Sequence, residues 1–174
     1  SPDLMPEWIS ATPGPAGRRL PRTRREGAAA VYFVACVNRI FAGPEGGESL
    51  PLPEAVVALS DRAGRPVWVP PDLAGSCCAT IWHSKGYDDG NILMANRTVE
   101  RAWEWTDGGR LPLVVDASSC TLGIGHEIVP YLTPENARRH EQLKVVDSLV
   151  WAAEELLPHL VAVTTVDSAV IHPT

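Results

Sequence analysis

LPLVVDASSC, residues 111–120, decides how this chain folds. From Leu111 to Val115 the run is apolar without a polar break. A strand with one face in water alternates apolar and polar residues. An unbroken apolar run marks a strand covered on both faces, as in parallel sheets flanked by helices. The run then turns through Asp116 and ends on Cys120. The pattern recurs upstream. AAAVYFVAC (28–36) predicts a buried strand ending at Cys36, and RPVWVP (65–70) predicts a second. Pro70-Pro71 breaks that second strand and leads into a loop carrying Cys77 and Cys78.

Helical patterns fill the intervals. One is predicted over about Leu52 to Ala63, stopped by Gly64. A longer one spans about Asp89 to Thr106, with Ile92, Leu93, Ala95, Val99, Ala102 and Trp103 near helical period, ended by Asp107-Gly108-Gly109. Pro134 to about Leu160 reads as helical, in two pieces, with Val145, Leu149, Trp151, Ala152 and Leu156 on its inner side. VAVTTVDSAVIHP (161–173) reads as one or two short final strands. Alternating strands and helices define the α/β class: a mostly parallel sheet flanked by helices, a Rossmann-like three-layer arrangement with right-handed crossovers. Residues 1–27 are read as an extended linker or arm, and 28–174 as one cysteine-rich α/β domain.

Composition narrows the classes. The chain has 174 residues, enough for one domain with a real core. Its 45% hydrophobic and 21% charged content is ordinary globular usage, and no apolar run is long enough to cross a membrane. A net charge of −6 argues against a nucleic-acid partner. The basic cluster Arg18, Arg19, Arg22, Arg24 and Arg25 lies in a Pro/Gly-rich stretch and reads as a solvated segment. The start, SPDLMPEWIS, has no apolar signal-peptide core. The glycine groups GPEGG and GIG lack the strand–helix setting of a phosphate cradle. His126, His140 and His159 have no metal-ligand spacing.

The four cysteines are the main clue to function. If all three strands are parallel members of one sheet, Cys36, Cys77, Cys78 and Cys120 emerge at the same edge, where open α/β folds bind ligands. Thiolates are soft ligands suited to zinc, copper or iron–sulfur. Other readings stand beside this one. Cysteine is a common core residue, and the chain also reads as a structural interaction domain whose cysteines are reduced and unliganded. No CxxC or HExxH pattern is present for a structural or catalytic zinc. A disulfide between the neighbours Cys77 and Cys78 is geometrically strained, yet the pair also suits thiol–disulfide exchange. His83 and Lys85 follow the pair closely and are candidates for stabilising a thiolate. Arg39 is a candidate for offsetting negative charge, and Asp116 for anchoring its loop through backbone amides in an Asx-type turn. Trp82, Trp103 and Trp105 read as core or interface more than as shields for a redox site.

Three segments carry a resemblance: Tyr32–Arg39 (YFVACVNR), Cys77–Gly86 (CCATIWHSKG) and Asp116–Cys120 (DASSC). They resemble the cysteine-rich CCG domain of heterodisulfide reductase and glycerol-3-phosphate dehydrogenase subunits. Within that group they look most like the C-terminal region of bacterial FAD- and iron–sulfur-containing D-lactate dehydrogenases. The resemblance runs from about Val31 to Thr174. Ala79 stands where the motif has glycine, and Ala117 stands in the first place of its usual Cys-x-x-Cys.

The resemblance implies an electron-transfer domain in which Cys36, Cys77, Cys78 and Cys120 hold an iron–sulfur cluster, supported by Arg39, His83, Lys85 and Asp116. It implies partners in the same polypeptide, an upstream FAD domain that oxidises D-lactate or a similar 2-hydroxy acid, and ferredoxin-like domains. Electrons would pass to a quinone or another acceptor, on the cytoplasmic side or peripherally at the inner face of the membrane. The family carries two cysteine repeats in tandem, and the end at His172-Pro173-Thr174 looks like the point where a second begins. Cut there, the chain is expected to lack an intact cluster when handled alone, to be inactive by itself and to self-associate through an apolar patch near residues 160–174.

Overall fold

In the computed structural model, the structure describes residues 14–16, 19–42 and 50–161, with 163, 168 and 170 beyond them. Four strands form one all-parallel sheet: β1 (Ala30–Phe33), β2 (Val67–Trp68), β3 (Leu113–Val115) and β4 (Val145–Asp147), in the order β2-β1-β3-β4. Val31 is paired with Leu113, and Leu113 with Val145, so the register runs straight across the centre. All residues of β1 and β3 are buried, as their unbroken apolar runs require. The α/β class with a parallel sheet flanked by helices is the fold observed.

The helices are α1 (Cys36–Ile40), α2 (Leu52–Arg62), α3 (Thr80–Ser84), α4 (Asp88–Trp105), α5 (Ser118–Leu122), α6 (Pro134–His140) and α7 (Ser148–Trp151). A π-helical turn, Ala152–Leu156, continues α7. One group of helices contains α2, which meets that π turn; the other contains α4, which meets α3 and α6. Right-handed crossovers account for the division. β1 to β2 steps one way along the sheet, whereas β2 to β3 and β3 to β4 step the other way.

The strands are shorter than the apolar runs that predict them. Val34 and Ala35 are buried but lie beyond the ladder, and Cys36 already opens α1. The segment read as helical from Pro134 to Leu160 is corrected. It contains α6, then β4, then α7, so Val145 is a strand residue rather than part of a helical inner face. The reason is local. Val145 and Val146 are β-branched, and Asp147 then caps α7 by accepting the Leu149 amide at 2.9 Å. The strands expected over 161–173, and the apolar patch expected near them, fall largely outside the described residues; Val161, Val163 and Val170 are described, belong to no strand and are exposed.

The described part of the arm lies across the domain. The Ala16 amide donates to the Ile40 carbonyl at 2.9 Å, and the Val69 amide donates to the Thr23 hydroxyl at 2.7 Å. Arg25, exposed in water, stacks over Trp68 at 4.9 Å and donates to the Glu104 carbonyl at 3.0 Å. Among the described residues no helix is long and apolar enough to cross a membrane.

Candidate cysteine site

The sheet order places a topological switch between β1 and β3. The chain leaves β1 toward β2 on one side and leaves β3 toward β4 on the other. In open α/β sheets the crevice beyond the strand ends at such a point is the usual ligand site. Cys36 follows β1 as the first residue of α1, and Cys120 follows β3 as the third residue of α5. Cys77 and Cys78 arrive from the loop after β2 and directly precede Ala79 at the head of α3.

The thiols meet. Cys78 lies near enough to Cys120 and Cys77 for their thiols to shift its ionisation, and Cys36 is near enough for its charge to act on Cys77 and Cys120. Cys78 and Cys120 are 4% and 5% exposed, whereas Cys36 and Cys77 are half-buried. All four are free thiols. Hydrogen bonds from Cys120, then Cys77, then Thr80 make Cys78 the thiol that ionises first, against the opposing effect of burial. Donation to Cys78 and burial hold the protons on Cys120 and Cys77 well above the ordinary thiol range.

Four side chains tie the cysteine-bearing segments together. Asp116 is buried at the end of β3. Its carboxyl accepts the Tyr32 hydroxyl and the Ala35 amide, both at 2.6 Å, which joins it to the end of β1 beside Cys36. Burial first, and Asp116 second, push the Tyr32 hydroxyl far above the usual tyrosine range. Arg39 donates one guanidinium nitrogen to the Leu73 carbonyl at 3.2 Å and another to the Ser76 carbonyl, which fastens α1 to the loop just before Cys77. Thr98 of α4 donates to the Cys77 carbonyl at 2.6 Å. Thr80 of α3 donates to the Ser119 carbonyl at 3.3 Å, beside Cys120.

Backbone conformation sharpens the turn after the pair. Ala79 has φ 69° and ψ −15°, in the left-handed region where a Cβ is strained and glycine is at ease. Glycine would suit this turn, and the alanine here sits in strain. Gly123, after α5, passes so close that a Cβ on it would strike the Thr80 hydroxyl and lie 3.3 Å from the Cys78 carbonyl.

Of the candidates from sequence, Cys36, Cys77, Cys78 and Cys120 come together, with Arg39 and Asp116 bracing them. His83 and Lys85 are exposed. His83 Nδ1 lies 3.4 Å from the Tyr131 hydroxyl, and neither residue is among the groups that perturb the thiols. Tyr32, Thr80 and Thr98 are site residues that sequence reasoning missed. Thr98 alone carried a usable signal, a polar residue beside the apolar stripe of α4.

The donor set has the chemistry of an iron–sulfur site: four soft thiols, the number that a cubane cluster takes. Buried donors without partners also lie beside it, the Ser76 hydroxyl just before Cys77 and Arg39 Nε. No group of three or more His, Cys, Asp and Glu among the described residues is placed to hold a metal ion. Comparisons of the chain with protein-family models, with curated proteins and with solved structures find no match.

Proposed function

We propose that this chain is a cysteine-rich electron-transfer domain of a flavin- and iron–sulfur-dependent oxidoreductase of the D-lactate (D-2-hydroxyacid) dehydrogenase type. Cys36, Cys77, Cys78 and Cys120 are its cluster ligands. The observation that carries the reading is the meeting of Cys77, Cys78 and Cys120, with Cys36 close by, at the switch point of a parallel sheet. Three segments far apart in sequence converge there on side chains of one soft type, and Asp116, Arg39, Thr80 and Thr98 brace them.

A bound cluster would supply one-electron chemistry. The chain's own part is to present four thiols, hold Cys78 ready to ionise and keep Cys78 and Cys120 out of water. The proposed partners are an FAD domain and ferredoxin-like domains of the same polypeptide, with a quinone or similar acceptor and no nucleic acid. The proposed location is the cytoplasm, or peripherally the inner face of the membrane. The test is anaerobic reconstitution with ferrous iron and sulfide. Broad visible absorbance with stoichiometric iron and sulfide, lost when Cys78 and Cys120 are changed to serine, is expected. A colourless protein with four titratable thiols overturns the reading.

The contact between Cys78 and Cys120 favours a second reading, a thiol–disulfide module. In that case mild oxidation removes two thiols reversibly, and mass mapping finds Cys78 joined to Cys120 or Cys77.

A further inference from the structure

A cavity of about 890 Å³ opens at the carboxyl ends of β1 and β2. One wall is the end of β2 and the turn after it, with Trp68, Pro70 and Pro71. A second is Arg39 and Ile40 of α1, the helix that follows β1. The arm closes a third side with Leu20 and Arg22. Two hydrogen bonds hold the arm there, and both reach residues of the other walls. The Ala16 amide donates to the Ile40 carbonyl at 2.9 Å, and the Val69 amide donates to the Thr23 hydroxyl at 2.7 Å. The cavity has the size of a small-molecule site and lies where open α/β sheets bind ligands. No cysteine lines it.

The lining carries charge of one sign. Arg19, Arg22 and Arg39 all line the cavity, and among the described residues no Asp or Glu does. Arg39 is fixed by its bonds to the Leu73 and Ser76 carbonyls, neutral acceptors that leave its charge uncompensated. Arg19 and Arg22 are exposed and make no ion pair among the described residues. Glu54 lines a smaller adjoining cavity and is not ion-paired with these arginines. A further guanidinium, that of Arg25, lies 4.9 Å from the Trp68 ring. The chain as a whole has a net charge of −6, so this is a local field of opposite sign. A cleft lined by one sign concentrates ligands of the other. Guanidinium forks match the oxygens of phosphate and carboxylate. Trp68, Leu20 and the two prolines add an apolar surface for which a bare inorganic ion has no use. We infer that this cavity binds a small organic anion, an aromatic body carrying a phosphate or carboxylate group. The acid group is held by Arg19 and Arg22, and the ring lies against Trp68, Pro70 and Pro71.

Isothermal titration of the full, reduced, iron-free chain is the test, so the outcome is separate from that of the electron-transfer reading. The probes are naphthyl phosphate and naphthoate, with inorganic phosphate and naphthol as their separate halves. Saturable binding of naphthyl phosphate or naphthoate is expected, about tenfold tighter than that of either half, and the better of the two tells phosphate from carboxylate. Arg22→Glu and Arg19→Glu are each expected to weaken it about tenfold, the scale of one hydrogen bond to a charged group. Trp68→Leu is expected to weaken it severalfold, the scale of an aromatic pair. Arg24→Glu makes the same change of charge on the same arm, but Arg24 does not line the cavity and its variant should bind like wild type. Arg19, Arg22 and Arg24 are all exposed, so these variants should melt with the wild type. No saturable binding of naphthyl phosphate or naphthoate overturns the inference. Unchanged binding in both Arg19→Glu and Arg22→Glu overturns it too. So does equal weakening by Arg22→Glu and Arg24→Glu, which would mark a general attraction to a basic arm.

Discussion

The Tyr32 hydroxyl donates to Asp116 Oδ2 at 2.6 Å, across the boundary between the two central strands. The other oxygen of the same carboxyl takes the Ala35 amide at 2.6 Å. Cys36 is the next residue after Ala35, and Cys120 stands one turn beyond Asp116. One buried carboxyl thus sets the relation between the two turns that carry the outer pair of cysteines.

Asp116→Ala leaves two buried donors unmet and is expected to cost about 3 kcal/mol. Tyr32→Phe, which keeps the carboxyl and its bond to Ala35, is expected to cost about 1 kcal/mol. Urea unfolding of the reduced chain measures both. Equal small losses would mean that the carboxyl does not join the strands.

Ala79→Gly should stabilise the chain. A residue with a Cβ in the left-handed region is penalised by about 1–2 kcal/mol, and the entropy that glycine adds to the unfolded state offsets part of the gain. A net gain of about 0.5–1 kcal/mol is expected, read as a higher melting temperature. A lower one would show that the φ of 69° carries no strain.

Gly123→Ala should push α5 and α3 apart, because the new methyl meets the Thr80 hydroxyl. A loss of about 1–3 kcal/mol is expected, typical of overpacking. Combining it with Thr80→Ala removes the clash and should recover most of that loss. A double variant no better than Gly123→Ala alone would place the strain elsewhere, at the Cys78 carbonyl.

Alkali should unfold the reduced chain early. Cys77, Cys120 and Tyr32 keep their protons in the fold above the pH at which the unfolded chain releases them. The unfolded state then binds fewer protons than the native state, so stability falls as pH rises. The decline begins near the ordinary thiol pKa of about 8.5 and steepens near the tyrosine value of about 10. Cys78 acts in the opposite sense. Its lowered pKa adds stability above the unfolded thiol value, which is lost as pH falls through the folded one. Urea midpoints from pH 7 to 10.5 give the slope. Tyr32→Phe should flatten its upper part, and a flat profile in the wild type would contradict the protonated state of Cys77 and Cys120.

Periodicity alone revealed much of the fold. The apolar runs around Val31 and Val114 announce strands covered on both faces, and the pattern from Ile92 to Trp103 announces a long helix. β4 stayed hidden because three residues between two helices are too few to show a period of two. At the site, the position of each cysteine after a strand was legible. The role expected of Asp116 was half right. It does bond a backbone amide, but that of Ala35 on another strand rather than one in its own turn. Thr98 and Thr80 look like ordinary helix residues until the fold brings them against Cys77 and Ser119.

The sequence by itself determined the class of fold, the direction of the strands and the end of the sheet at which the cysteines stand. Those are consequences of local apolar pattern, which acts over a few neighbouring residues. Tertiary structure alone decided that Cys78 lies beside both Cys77 and Cys120, that Asn91 is buried without a partner, and that Ala79 takes a left-handed turn. Contacts of that kind depend on how far each loop travels after its strand and on the crossovers that bring strands together, and no short stretch of residues encodes them.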